Sequence, residues 1–409
     1  MPASQPDSTD SAPLSVTPSP GARPPRNAMR SVTRSVLTGA LGGTAGWRLH
    51  AWLFLATAAS VFVTLFFNAR SGGDPARVAV VEAAEFTGSL LAILLAHELG
   101  HYVAARRHRV SASLPYFIPL PFLSPFGTMG AIIRMRSSIA TRSALLDIGA
   151  AGPLAGLVIA IPLYAWGAAH SEVRAADGSA GQLGSSLLVR LLDRTFAPVV
   201  PDGMDLFLSP VAYAAWAGMF VTMINLLPAS QLDGGHVAYA LFGPRQNHIA
   251  RWVHRSMLAF FFVSVASFAG RDLRAGLGLW HLGRHVYNSL FWLVWFQVLT
   301  IIGASTSGGP KETSHDQVAF STRLVLTLGL TIVALVLTER SSLFLWAAFV
   351  AALVFLVAIE SRWGALRSSS KLLDHPPTTA LPLTGRRKVV AIVTLTFFAL
   401  LFMPAPFVF

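Results

Sequence analysis

Leu90-Leu-Ala-Ile-Leu-Leu-Ala-His97-Glu98-Leu-Gly-His101 carries the reading of this chain. An apolar run long enough to enter a bilayer ends in two histidines and a glutamate. The i, i+4 spacing puts both imidazoles on one helical face, about one turn apart. Glu98 stands beside them on the adjoining face. Random composition gives H-E-x-x-H in a chain with these residue counts roughly once in a hundred sequences, so the match is specific. Ionisable groups inside an apolar span cost roughly 2.5–3.5 kcal/mol each and are functional by default.

Outward from this helix, the rest of the chain is equally apolar. Of 409 residues, 53% are hydrophobic and only 12% charged, and mean hydropathy is +0.57. A soluble domain approaches a quarter charged, so this is an integral membrane protein. Apolar runs predict helices near 50–67, 83–104, 143–168, 207–229, 254–270, 285–304, 323–338, 342–360 and 389–407. The expected fold is an all-α membrane protein, a polytopic helical bundle of about nine transmembrane helices. Residues 1–47, rich in Pro, Ser, Thr and Arg, read as a disordered tail. Residues 48–245 read as a membrane core and 246–409 as additional C-terminal helices. The formal charge of +12 reflects topology and anionic headgroups rather than nucleic acid. With the N-terminus inside, 22 of the 31 Lys and Arg fall on the cytoplasmic side.

Leu114 to Arg134 breaks the pattern. It is apolar enough for membrane, yet Pro115, Pro119, Pro121 and Pro125 forbid a continuous helix. Such backbone is tolerated at membrane depth only where protein or a watery cavity satisfies its polar groups, so a re-entrant hairpin lining a site is expected. The strand-like half, about Gly127 to Arg134, offers Gly127, Gly130 and Ile132 as candidate substrate-binding positions. Leu187 to Leu192 reads as an interfacial amphipathic helix.

Without cysteine, a metal must be held by histidine and carboxylate. A catalytic zinc takes three protein ligands and keeps one open position, so a third ligand is needed beside His97 and His101. Asp233 is the candidate. It lies in Asn225-Leu-Leu-Pro-Ala-Ser-Gln-Leu-Asp233-Gly-Gly-His236, where Pro228 breaks an apolar helix and the glycine pair permits close backbone approach. Asn225 could donate its side-chain amide to an oxyanion, or equally pack between helices. Trp280-His281-Leu-Gly-Arg-His285 repeats the spacing without the glutamate and reads as an interfacial cluster. Asp147 reads as a cap or an interhelical bond, with a partnership to a zinc-bound histidine as the minority reading. Gly152 and Gly156 read as close helix packing, and His108, His248 and His254 as surface residues.

These blocks resemble the site-2 protease family of intramembrane zinc metalloproteases. His97-Glu98-x-x-His101 is similar to the family's first motif, and Asn225-x-x-Pro228 with Leu232-Asp233-Gly234 to its second. Ala151-Gly152-Pro153, within Asp147 to Gly156, resembles the helix between them. Leu114 to Arg134 is most similar to the branch that includes the plant chloroplast members and their bacterial relatives. The resemblance covers about residues 83 to 245, and His236 departs from the Arg often found there. It implies one zinc per chain on His97, His101 and Asp233, with Glu98 as base and Asn225 near the oxyanion. It also implies an endopeptidase cutting transmembrane protein substrates in the lipid bilayer, in regulated intramembrane proteolysis. A bacterial plasma membrane with the site toward the cytoplasm is expected, a plastid membrane being the alternative. The rival from another class is a transporter or channel using His97, Glu98, His101 and Asp233 as a cation or proton path.

Overall fold

The computed structural model describes residues 46–135, 139–175, 182–306, 315–368, 370–378 and 381–408. The tail expected over 1–47 lies outside them, except Gly46 and Trp47, which already belong to the first helix. The chain divides after Ala51 into two compact units. Of the first, only the opening of that helix is described; every other described element belongs to the second.

Eleven described α-helices make up the bulk of the fold: α1 (Gly46–Ser71), α2 (Ala76–Arg107), α3 (Arg142–Ala169), α4 (Leu187–Phe196), α5 (Pro210–Asn225), α6 (Asp233–Phe242), α7 (Gln246–Arg274), α8 (Leu282–Thr306), α9 (His315–Glu339), α10 (Leu343–Trp363) and α11 (Gly385–Leu401). Their starts are chemically marked. Thr141, Ser186, Ser209 and Ser342 each accept a backbone N–H from the first turn of α3, α4, α5 and α10. Among the described residues, seven stretches are long and apolar enough to cross a membrane. The expected spans at 207–229 and 389–407 appear instead as α5, of 16 residues, and α11, of 17. Both fall short of the ~20 residues a hydrocarbon core asks of a helix. Asn225 ends α5 because Pro228 follows, and Leu401 ends α11 ahead of Pro404 and Pro406. The expected span at 254–270 belongs to one apolar run, Asp233–Arg274, in which α6 and α7 meet at a short 3-10 turn.

Small residues let the central helices touch. α2, α3 and α5 pack against one another. Gly100 meets the backbone of Ala151, Gly167 that of Ala212, and Gly218 the side chain of Ile93. The proline-rich segment forms the expected hairpin: β1 (Tyr116–Pro119) pairs antiparallel with β2 (Thr128–Ile132), Tyr116 opposite Ile132 and Phe117 opposite Ala131. Its loop is anchored by Phe126, which packs against Tyr213, Trp216 and Phe220 of α5.

Two further ribbons were not foreseen. β3 (Glu172–Ala175) pairs with β5 (Met204–Phe207), and β4 (Gln182–Leu183) pairs with β6 (Phe407–Val408). The second joins the 169–206 connection to the last described residues of the chain. Helices α7 to α10 pack in series, but α11 returns to lie on α3, α5 and α6.

Candidate metal centre

The last turns of α2 put His97, Glu98 and His101 inside the bundle, 3%, 6% and 8% exposed. α3 makes room for them by omitting side chains. A Cβ on Gly152 would sit well inside van der Waals contact with the His101 ring, and one on Gly156 would meet His97 Nδ1 at 3.3 Å. Gly152 and Gly156 thus accommodate the imidazoles themselves and not merely a neighbouring backbone. Asp233 arrives from the opposite side, as the first residue of α6. Behind it, Gly234 and Gly235 lie so close to the carbonyls of Leu226 and Ser230 that a Cβ on either would collide with them. Ser230 takes φ 51°, a left-handed conformation that completes the tight turn.

Asp233 Oδ2 lies 3.3 Å from His97 Nε2 and 3.1 Å from His101 Nε2. The three side chains offer donor atoms all within 4.8 Å of one another. Two ligands about 2.0–2.1 Å from a zinc at the tetrahedral angle stand about 3.3–3.4 Å apart, so these two edges fit that ion. His101 Nδ1–H donates to the Ile148 carbonyl at 2.7 Å, which fixes the tautomer and leaves Nε2 free to ligate. The Asp233 side chain is 18% exposed, giving water a way in. Glu98 accepts no hydrogen bond from any described residue, and its buried carboxyl stands next to the cluster. Asn225, at the end of α5, holds Nδ2 3.4 Å from His97 Nε2.

Asp147 makes the expected interhelical bond, to Arg387 of α11, and does not serve a ligating histidine. One residue along a helix turns a side chain by about 100°, and Asp147 faces away, accepting from His108 Nε2 at 2.8 Å and from Arg387 Nη2 at 2.7 Å. His254 is fully buried rather than on the surface, its Nε2 2.9 Å from the Phe296 carbonyl. His281 and His285 form no second metal pair. His285 Nε2 is 2.8 Å from Asp272 Oδ2, while His281 is exposed. Gly127 is turned toward α1, its carbonyl accepting from Ser60 Oγ at 2.5 Å. Gly130 has open space where a Cβ would stand, and Ile132 is 58% exposed.

Residues 85–264 match the model of peptidase family M50, and the paired histidines, the glutamate and Asp233 all fall inside that stretch. This stretch is similar to that family, in line with the resemblance of its motifs to the site-2 proteases. Its curated relatives include “Probable zinc metalloprotease EGY1, chloroplastic” of Arabidopsis thaliana, 37% identical over 160 residues, or 38% of this chain and 29% of the relative. The protein of the same name in Oryza sativa subsp. japonica is 32% identical over 192 residues, 44% and 33% of the two chains. “Probable zinc metalloprotease EGY2, chloroplastic” of Arabidopsis thaliana is 32% identical over 160 residues, 37% and 27%. The chain therefore spans a third or less of these relatives. No solved structure matches it.

The M50 stretch ends at 264, but its neighbourhood does not. Arg387 reaches Asp147 from α11, and His375 lies against α6, its Nε2 2.8 Å from His236 Nδ1. Sequence reading left His236 without a role and missed His375. The only signal was His236 itself, a polar residue following the glycine pair.

Proposed function

We propose that the chain is a zinc-dependent intramembrane endopeptidase that cuts transmembrane segments of membrane proteins, as in regulated intramembrane proteolysis. His97, His101 and Asp233 hold one zinc ion per chain. When bound, the ion supplies Lewis acidity toward the scissile carbonyl and the attacking water. Glu98 accepts the proton of that water and returns it to the leaving amine nitrogen. Asn225 donates its amide N–H to the developing oxyanion, an interaction worth roughly 2.7–4 kcal/mol at comparable sites. The observation that carries the reading is Glu98. It is a buried carboxyl without a hydrogen-bonding partner among the described residues, set beside two imidazoles and a carboxylate with the spacing of zinc ligands.

A helical substrate hides its peptide bonds in intrahelical hydrogen bonds and must unwind before cleavage. In this reading β2 supplies an edge on which the unwound segment adds as a further strand. Residues 48–245 form the catalytic core, and 246–409 are helices added to it. The membrane is a bacterial plasma membrane, with a plastid membrane as the alternative, and the distribution of Lys and Arg supports a site toward the cytoplasm.

The test is a reconstituted cleavage assay on a membrane-spanning peptide with a helix-breaking Gly-Pro near its middle, products being identified by mass. Wild type cuts it, while Glu98→Gln loses at least ~100-fold in rate yet keeps its zinc. Equal cleavage by Glu98→Gln would remove the base from the mechanism. Ile132→Pro is expected to depress cleavage with zinc retained, and unchanged turnover would sink strand addition.

A further inference from the structure

His375 comes from the connection between α10 and α11, more than a hundred residues beyond the M50 stretch. It is only 7% exposed. Four contacts hold it, each on a different atom or face. Its backbone N–H donates to Asn247 Oδ1 at 3.1 Å, and its ring stacks on Tyr239 with centroids 4.2 Å apart. Its Nδ1 lies 2.7 Å from the Pro376 carbonyl, and its Nε2 lies 2.8 Å from His236 Nδ1. Next to it, Asp374 stands 3.7 Å from Arg251 of α7.

These contacts fix both tautomers. A carbonyl only accepts, so His375 Nδ1 carries the proton and Nε2 presents its lone pair. His236 Nδ1–H must then donate to it. Burial pushes the His375 imidazole below the usual histidine range, so the ring is a neutral acceptor near pH 7.

His236 lies three residues after Asp233, on its face of α6, and Tyr239 three residues further, so His375 grips a stripe of α6 that starts beside the ligand. α6 needs that grip. It is 10 residues long, and no side chain caps its N-terminus. The glycine pair fixes its backbone from behind the ligand, and His236 Cβ approaches to 3.0 Å of the position a Cβ would take on Gly149 of α3.

We propose that His375 is a positioning residue for the metal centre: by holding the His236 ring and stacking on Tyr239, it sets the orientation of the first turn of α6 and with it Asp233. The C-terminal region thereby completes a site whose ligands all lie in the M50 domain. This inference rests on the zinc reading of that site.

The test uses the full chain in detergent, loaded with zinc, and follows metal loss to a chelator. It is paired with the visible spectrum of the cobalt-substituted protein, which reports ligand geometry. His375→Ala should release zinc about tenfold faster, the lower end of what orienting partners contribute, and should alter the cobalt bands. His375→Gln keeps an acceptor for His236 Nδ1–H and should recover most of the loss. Combining His375→Ala with His236→Ala should add little to His236→Ala alone, since the two act through one hydrogen bond. Unchanged release in His375→Ala, no recovery in His375→Gln, or effects that simply sum would each overturn the proposal. A folded wild type that takes up no zinc would instead overturn the metalloprotease reading.

Discussion

Two imidazoles of α2 occupy space that α3 leaves empty, and this complementarity is the residue-scale logic of the site. Gly152→Ala adds one methyl group where His101 Nε2 already lies. Helix propensity favours alanine by about 1 kcal/mol, so α3 should persist while the ring is displaced. The variant is expected to bind much less than one zinc per chain with its helix content intact. Gly88→Ala, on the exposed face of α2 with nothing near its Cβ, should keep full zinc; loss in both would mean the effect is not steric. Sequence reading reached His97, Glu98, His101 and Asp233 because period and motif are local. It took Gly152 and Gly156 as ordinary packing because the clashing atoms belong to another helix. The Ile148 carbonyl that orients His101 was invisible for a related reason: a backbone acceptor has no residue type to read.

At the scale of elements, apolar runs announced most helices, and four prolines announced the hairpin. The β4–β6 ribbon had no such signal, since two-residue strands leave no period to count. The return of α11 to α3, α5 and α6 was illegible too, because an apolar helix does not say what it packs against. Its pin is the paired contact of Arg387 with Asp147, at 3.1 Å to Oδ1 and 2.7 Å to Oδ2. With these side chains about a third exposed, Arg387→Ala should cost about 1 kcal/mol, read as a lower unfolding midpoint in detergent. Asp147→Asn should cost a similar amount, and the double variant less than the sum. Strict additivity would mean that the pair contributes nothing to holding α11.

For the whole molecule, the distribution of basic residues orients the bundle, and the absence of cysteine makes that orientation easy to test. Asp202→Cys and Ser368→Cys place single thiols in exposed positions of the 169–206 and 361–388 connections. A membrane-impermeant maleimide should label them from opposite sides of sealed vesicles, Ser368→Cys from the cytoplasmic side. Labelling of both from one side would break the topology. Fold class was legible because the bilayer imposes it through composition. The reach of the C-terminal region toward the metal centre was not, since His236 and His375 are 139 residues apart and meet only once the helices have packed.

The most direct test is the zinc content of the purified protein, measured in wild type, Glu98→Gln, His97→Ala and Asp233→Ala. About one zinc per chain is expected in the first two and almost none in the last two. A correctly folded wild type that takes up no zinc when supplied with it would contradict the proposed activity and favour a cation or proton path through the same four residues.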